Sequence, residues 1–168
     1  MAHKIRVVFV CLGNICRSPL AEGSFRHLVQ ARGLDDRFDI DSAGTSSYHA
    51  GEPPDPGSVD VARRNGIDIS RQRSRQLVRE ELTSFDYIIA MDSQNHRNIL
   101  RLAANPDALR GKLWLMRNFE RSPEGLGDDL GVPDPWGGGR RGFEEVHGIV
   151  HDACGHLLAF ILAKDKVP

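Results

Sequence analysis

The stretch that decides the fold is IRVVFVCLGNICRSPLAE, residues 5–22. Residues 5–10 form a short run of mostly β-branched and apolar side chains, which is typical of a strand buried on both faces of a sheet. A helix is predicted over 18–32, because Ser18 is a suitable N-cap and Pro19 fits the first helical position. A buried strand therefore leads through a tight turn into a helix.

The rest of the chain repeats this alternation of strands and helices. Further strands are predicted from 38, over 85–91 and over 112–116, and further helices over 57–65, 93–104 and 143–163. This order indicates an α/β fold: a three-layer, doubly wound, four-stranded parallel sheet with helices on both faces, formed by residues 1–168 as a single domain. The stretch 117–142 is rich in Gly, Pro and Asp, and its length without predicted structure favours a functional role.

The composition is that of an ordinary globular protein. Of 168 residues, 40% are apolar and 27% are charged, and the formal net charge is -1. Without an excess of positive charge, we expect neither nucleic acid nor a membrane as a partner. The N-terminus lacks a signal-peptide pattern, so a cytoplasmic location is predicted. A monomer is also expected. Three cysteines, an odd number, argue against a disulfide scaffold.

The turn after the first strand is predicted to bind an anion. Ligands of parallel sheets bind at the carboxyl ends of the strands, where this turn lies. Gly13 and Asn14 tolerate a left-handed backbone, so the loop can direct successive N–H groups inward, towards the positive end of the helix dipole. Arg17 can bind two oxygens of a phosphate. The residues predicted to bind the phosphorylated substrate here are Leu12, Gly13, Asn14, Ile15, Cys16 and Ser18.

Cys11 lies at the floor of this predicted site. An arginine, a hydroxyl and a helix N-terminus all stabilise a thiolate, and Ser18 is placed to donate a hydrogen bond to it. Cys11 is therefore the predicted nucleophile, with Arg17 as the phosphate ligand.

The leaving oxygen of an aryl phosphate needs a proton, which a carboxylic acid can supply. The motif VPDPW, residues 132–136, holds Asp134 between two prolines and places Trp136 where it can pack beside a substrate ring. Asp134 is the predicted acid, and Asp128 and Asp129 are the alternatives.

With these motifs in place, the sequence resembles the low-molecular-weight protein tyrosine phosphatases over nearly its whole length. The shared motifs are VVFVCLGNICRSPLAE, DSAGTSSYHAGEPPDP, FDYIIAMDSQN, PDPW and GFEEVHGIV. The resemblance implies one phosphatase domain that hydrolyses phosphotyrosine and aryl phosphates through a phosphocysteine intermediate. It implies tyrosine-phosphorylated proteins as partners, phosphate or other oxyanions in the loop, and neither a metal nor another cofactor.

The resemblance also implies a role for single residues. Cys11 is the nucleophile, Arg17 the phosphate ligand and Asp134 the acid, which then acts as the base. Supporting roles fall to two groups of residues: Asn14, Ser18, Ser42 and Asp92 brace the site, and Tyr48 faces Trp136 across an aromatic pocket.

Two positions depart from the family pattern. Members commonly carry two tyrosines after the Asp-Pro pair, proposed as phosphorylation sites, where this chain has Trp136 and Gly137. That form of regulation is not expected here. Many members also have a histidine, tied into the hydrogen bonds of the loop, where this chain has Gln72. An amide can bridge two partners.

Three other functions are considered. Arsenate reductases of the same fold need two further cysteines near the third strand, and residues 70–95 contain none. Protein arginine phosphatases resemble the chain but carry threonine at the position of Ile15. A phosphotyrosine-binding module without activity would need the loop but not Asp134.

Three further features each have two interpretations. Cys16 either packs beneath the loop or forms a protective disulfide with an oxidised Cys11. His147 and His151 are spaced to share a helix face, as a metal pair with Cys154 or, as is favoured, as packing and surface residues. A basic run is interpreted as a solvated surface or as a docking site for a phosphoprotein; it comprises Arg63, Arg64, Arg71, Arg73, Arg75 and Arg79.

Overall fold

The computed structural model of the protein describes residues 3–120 and 130–167. Its strands are β1 (Ile5–Cys11), β2 (Phe38–Gly44), β3 (Tyr87–Ala90) and β4 (Leu113–Leu115), and its helices are α1 (Arg17–Ala31), α2 (Pro56–Arg64), α3 (Ser93–Leu102) and α4 (Arg140–Lys164). Short 3-10 turns occupy Asp35–Arg37, Arg79–Thr83, Pro106–Leu109 and Met116–Phe119.

The four strands form one parallel sheet in the order β2-β1-β3-β4. The chain passes from β1 to one side of it for β2, and to the other side for β3. The strand order therefore reverses beside β1, and a ligand crevice forms at its carboxyl end, next to Cys11. The predicted three-layer α/β architecture is confirmed.

The side chains of β1 explain the three layers. Val7, Val8, Phe9 and Val10 are all fully buried, because successive strand residues face opposite sides of the sheet and both sides are covered. Val7 and Phe9 belong to a core shared with α1, α2 and α4. Val8 and Val10 belong to a second core, which includes Ile99 of α3.

The longest helix, α4, has the amphipathic face predicted from its sequence. The predicted residues Phe143, Val146, Val150, Ala153, Leu157 and Ile161 are all buried. By length and composition alone α4 could cross a membrane, but the core helix of a globular protein meets the same criteria. Because this face packs in the core with α1, α4 is a structural helix of the fold.

Some predicted boundaries are wrong. The helix after the first loop begins at Arg17, and its N-cap is Cys16, which makes no side-chain capping bond. Ser18 is thus not the cap, because its hydroxyl contacts Cys11 instead. The final helix begins at Arg140, three residues before the predicted start.

Candidate active site

The loop between β1 and α1 is fixed by its backbone and by close packing. Asn14 has φ 57°, the left-handed conformation that asparagine tolerates better than most residues. Gly13 has no such φ, but a Cβ there would lie 3.0 Å from Cδ2 of His49, so the imidazole would have to shift to admit one. Gly44, at the end of β2, leaves room for the loop, since a Cβ there would lie 2.7 Å from the carbonyl oxygen of Leu12.

The Asn14 side chain sets the direction of the hydrogen bonds below the loop. Its Nδ2 donates to Ser18 Oγ (2.8 Å) and to Ser42 Oγ (3.0 Å), while its Oδ1 accepts from the backbone N–H of Arg75 (3.1 Å). Since Ser18 Oγ accepts from Asn14, its own proton is available for Cys11 Sγ, 3.0 Å away. The network therefore orients the Ser18 hydroxyl to donate a hydrogen bond to Cys11 Sγ.

The same network ends in a buried carboxylate. Ser42 donates to Glu22 Oε1 (2.8 Å), and Arg26 donates to Glu22 Oε2 (3.1 Å). Burial raises the pKa of Glu22, although the bonds from Ser42 and Arg26 partly oppose this effect. Ser42, which was predicted to brace the loop, thus joins the loop to α1.

Arg17 is buried and is held by two elements beyond its own helix. Its Nη1 donates to Asp92 Oδ2 (2.6 Å) and to the carbonyl of Val132 (3.0 Å), and its Nη2 lies 3.8 Å from Asp134 Oδ2. Asp92 also accepts from the N–H of Asn95 and caps α3. The orientation of the guanidinium is therefore set by the end of β3, where Asp92 was predicted to support the site.

Asp134 lines the same cavity as Arg17. Its side chain is about half exposed at 49%, and Oδ1 accepts the backbone N–H of Trp136 at 3.1 Å. A carboxyl group in this position can exchange protons with water. The two alternative acids, Asp128 and Asp129, lie outside the described residues.

The cavity above Cys11 has a volume of about 190 Å³. Its lining includes most of the predicted site residues, namely Cys11, Leu12, Gly13, Ile15, Cys16, Arg17, Tyr48, Asp134 and Trp136. Asn14 and Ser18 do not line it, because their side chains are buried in the network beneath the loop. The exposed rings of Tyr48 and Trp136 stand at its rim.

Ser46 and His49 also line the cavity and were missed from the sequence. His49 Nδ1 lies 2.6 Å from Glu52 Oε2. The sequence did contain a signal for His49: it follows Tyr48, a predicted site residue, and a glutamate comes three residues later.

The remaining cysteines differ from Cys11. Burial raises the pKa of the Cys16 thiol, and the negative charges of Asp55, Cys11 and Asp134 raise it further. Cys16 therefore remains a protonated thiol at neutral pH, in the same cavity as Cys11. Cys154 is fully buried on α4, where its Sγ lies 3.7 Å from the carbonyl of Ala21.

Gln72, where the resemblance implies a histidine in many family members, contacts the first turn of α1. Gln72 Nε2 donates to the carbonyl of Pro19 (3.1 Å), and its Oε1 is buried without a partner in the part of the chain that the structure describes. The neighbouring segment bonds the loop directly. Ser74 Oγ donates to the carbonyl of Gly13 (2.8 Å), and the backbone N–H of Arg75 donates to Asn14 Oδ1.

The histidine pair and the basic run both have structural explanations. The rings of His147 and His151 stack at 6.0 Å, but Cys154 points into the core, and residues 3–120 and 130–167 contain no group of three potential ligands for a metal. In the basic run, Arg64 pairs with Asp60 and Glu144, and Arg75 pairs with Asp41 and Glu81. Arg64 therefore links α2 to α4, and Arg75 links its segment to β2 and to the turn Arg79–Thr83.

Comparison with known proteins gives the family. The sequence model of one protein family, the low molecular weight phosphotyrosine protein phosphatases, matches residues 6–167. The phosphatase of that name from Schizosaccharomyces pombe is 45% identical over 148 residues, which cover 88% of this chain and 90% of the relative.

Two solved structures share the fold. A protein tyrosine phosphatase from Entamoeba histolytica, with Hepes in its active site, has a TM-score of 0.86 and 36% identity, covering 98% of this chain and 100% of the other. The Drosophila arginine phosphatase has a TM-score of 0.81 and 29% identity, and the match covers 93% of this chain and 97% of the other. On this similarity of sequence and fold, the chain belongs to the low molecular weight phosphotyrosine protein phosphatases, which are hydrolases.

Proposed function

We propose that this phosphatase hydrolyses phosphotyrosine in proteins, and other aryl phosphates, through a phosphocysteine intermediate. One observation carries the proposal: a single cavity contains a buried Cys11 within reach of a hydroxyl donor, a buried Arg17 and a half-exposed Asp134, between the rings of Tyr48 and Trp136.

In the first step, the Cys11 thiolate attacks phosphorus. The S–P bond forms as the bond from phosphorus to the phenolic oxygen breaks, and Asp134 gives its proton to the departing oxygen. The product phenol leaves, and Cys11 carries the phosphoryl group.

In the second step, water attacks the phosphocysteine. Asp134, now a carboxylate, takes a proton from this water, while the P–O bond forms and the S–P bond breaks. Inorganic phosphate and the Cys11 thiolate result. Ser18 stabilises the thiolate both as the attacking and as the leaving group, through the same 3.0 Å contact.

Arg17 binds the oxygens of the phosphoryl group in both steps. Charge on these oxygens is best stabilised by donors that are already oriented, because no reorganisation is then needed during reaction. The bonds of Arg17 to Asp92 and Val132 supply that orientation.

The shape of the cavity favours an aryl substrate. Ile15, which is 8% exposed, gives an apolar wall near the floor, and Leu12, Tyr48 and Trp136 continue this wall to the rim. A phenyl ring fills such a slot, whereas the short side chain of phosphoserine does not reach its floor.

A protein arginine phosphatase is the second candidate, favoured by the 29% identity to the Drosophila enzyme. The apolar Ile15 argues for a phenyl ring over a guanidinium at this position. An arsenate reductase is less well supported, because residues 70–95 contain no cysteine and Cys154 is buried on α4. A binding module without activity would have no use for Asp134.

The test is turnover of matched phosphotyrosine, phosphoserine and phosphoarginine peptides with EDTA present. Phosphotyrosine should be hydrolysed at least about tenfold faster than either alternative, because a misfitted substrate loses both the ring contacts and the alignment for attack. Comparable rates on all three peptides, or a preference for phosphoarginine, would contradict the proposal.

A further inference from the structure

His49 is a cavity residue to which the reaction above assigns no role. It lies in the loop between β2 and α2, beside Tyr48, and its side chain is 31% exposed. Cys11 and Arg17 are each only 3% exposed. His49 therefore stands nearer the mouth of the cavity than the groups that bind and attack the phosphate.

The orientation of the imidazole is set by Glu52. A carboxylate only accepts hydrogen bonds, so the 2.6 Å contact requires His49 Nδ1 to be the donor. Glu52 is itself anchored, since its carbonyl accepts from the N–H of Ser74 (2.8 Å) and its N–H donates to the carbonyl of His49 (2.9 Å). The other ring nitrogen, Nε2, is thereby directed away from Glu52.

The packing against Gly13 places Nε2 near the loop. A Cβ on Gly13 would lie 3.0 Å from His49 Cδ2 and 3.8 Å from Nε2, so this edge of the ring rests on the loop backbone. Among residues 3–120 and 130–167, Nε2 has no hydrogen-bond partner, while the ring is held in place by Glu52 and Gly13. An oriented and unused polar atom at the wall of a cavity is a suitable contact for a ligand.

The charge of the pair indicates what it contacts. Glu52 carries a negative charge that offsets any positive charge on His49, so the pair does not attract an acidic side chain. A main-chain amide or carbonyl requires no net charge from its partner. It is also the group that a phosphotyrosine peptide brings to the mouth of the cavity in every sequence.

We propose that His49 is a substrate-binding residue that hydrogen-bonds, through Nε2, the main chain of the peptide next to the phosphotyrosine. The inference rests on the proposed function and adds a specificity to it: the enzyme distinguishes phosphotyrosine within a peptide from a small aryl phosphate. Glu52 acts through His49 as a positioning residue.

The experiment compares His49→Ala with the unaltered enzyme on two phosphotyrosine peptides of different flanking sequence and on phenyl phosphate. Removing one hydrogen bond to the substrate should lower kcat/KM about tenfold for both peptides. Phenyl phosphate has no main chain, so its kcat/KM should stay within about twofold. His49→Gln, which retains a polar group, should recover part of the lost kcat/KM for the peptides. Glu52→Gln should give a peptide kcat/KM between those of the unaltered enzyme and of His49→Ala.

The matched control is His151→Ala, because His151 is an exposed histidine on α4. This variant should leave kcat/KM unchanged for the peptides and for phenyl phosphate. An equal loss on phenyl phosphate and on peptides would overturn the inference, because His49 would then only support the loop. Undiminished peptide turnover, or a loss confined to one flanking sequence, would also overturn it. If the unaltered enzyme fails on both phosphotyrosine peptides, the proposed function itself is wrong, and the inference fails with it.

Discussion

The loop that carries Cys11 and the segment that carries Asp134 meet in one cavity but are held differently. In the loop, Asn14 is buried and hydrogen-bonded to Ser42 and Arg75, far along the chain, and Ser18 is buried between Asn14 and Cys11. In the segment 130–136, Asp134 is half exposed and its side chain accepts a bond from Trp136, two residues away. The backbone of Val132 ties this segment to the sheet through Met91 (2.7 Å) and to Arg17.

This difference follows from what each group does in the proposed reaction. The nucleophile and the anion site work best when fixed in advance, which requires buried and fully bonded neighbours. The acid recovers its proton from the attacking water in the second step, which requires that water can reach its carboxyl group. A rigid, buried loop facing an exposed carboxyl group thus serves both needs, and five substitutions test the comparison.

Cys11→Ser should have the largest effect. Turnover should fall below about 1% of the unaltered rate, because an alcohol is a poor nucleophile where a thiolate is required. Binding of inorganic phosphate, measured by calorimetry, should persist, since Arg17 and the loop backbone remain. Cys154→Ala is the control and should stay active; substantial turnover by Cys11→Ser would argue against the covalent intermediate.

Asp134→Ala should slow phenyl phosphate hydrolysis by about 10² to 10⁴. A nitrophenyl phosphate should suffer less, because its leaving group needs no proton. Steady-state rates on both substrates measure the difference, and Asp134→Asn controls for the size of the side chain. A larger loss in Asp128→Ala or Asp129→Ala would assign the acid to one of those residues instead.

Asn14→Ala tests the rigid side of the comparison. It should lower the free energy of unfolding by about 2–4 kcal/mol, because it forces a non-glycine residue without a polar side chain into φ 57° and leaves two buried serines without a donor. Turnover should fall by at least about tenfold, as the thiolate loses its oriented hydroxyl.

Urea unfolding and steady-state rates measure these two effects of Asn14→Ala. Asn14→Gly separates their causes, since glycine relieves the backbone strain but also lacks the amide. If Asn14→Gly kept full activity, the amide network would not contribute to the reaction.

Glu22→Gln should change how stability depends on pH. Burial raises the pKa of Glu22, so above the ordinary glutamate pKa the folded chain holds a proton that the unfolded chain has released. The stability of the unaltered protein should therefore fall as pH rises through the raised value, and the variant should lack this component. Urea unfolding at several pH values would show it, with the exposed Asp152→Asn as control; identical pH slopes would contradict the prediction.

Cys16→Ser should have the smallest effect on turnover but a clear effect on recovery from peroxide. If Cys16 forms a disulfide with an oxidised Cys11, dithiothreitol should restore the unaltered enzyme almost fully and the variant poorly. Mass spectrometry of the loop peptide should then show the loss of two hydrogens. Equal recovery, or a disulfide to Cys154, would leave Cys16 as a packing residue.

Much of the fold could be predicted because its signals are local. The apolar run of β1, the spacing of Phe143 and Val146 on α4, and the alternation of strands and helices each depend on neighbouring residues only. The same is true of the Cys11 to Arg17 loop, whose residue types fit an anion site without reference to the rest of the chain.

The remainder depends on contacts between distant segments. Ser18 has the chemistry of an N-cap, and only the position of Cys11 shows where its hydroxyl is used. His49 lines the cavity because its ring rests on Gly13, 36 positions earlier in the numbering of the chain. Ser74 and Arg75, close to Gln72 in the chain, bond the loop from 61 positions away, which no local pattern indicates.

The close approach of Gly44 to the loop has a consequence for protein engineering. A designer who grafts residues 11–17 onto another parallel sheet would transfer the nucleophile, the arginine and the asparagine, yet the graft would fail on most hosts. The neighbouring strand must end in a residue without a Cβ, because any side chain there would collide with the Leu12 carbonyl. The portable unit is therefore the loop together with the last residue of the adjacent strand, two pieces of chain that no single inserted segment contains.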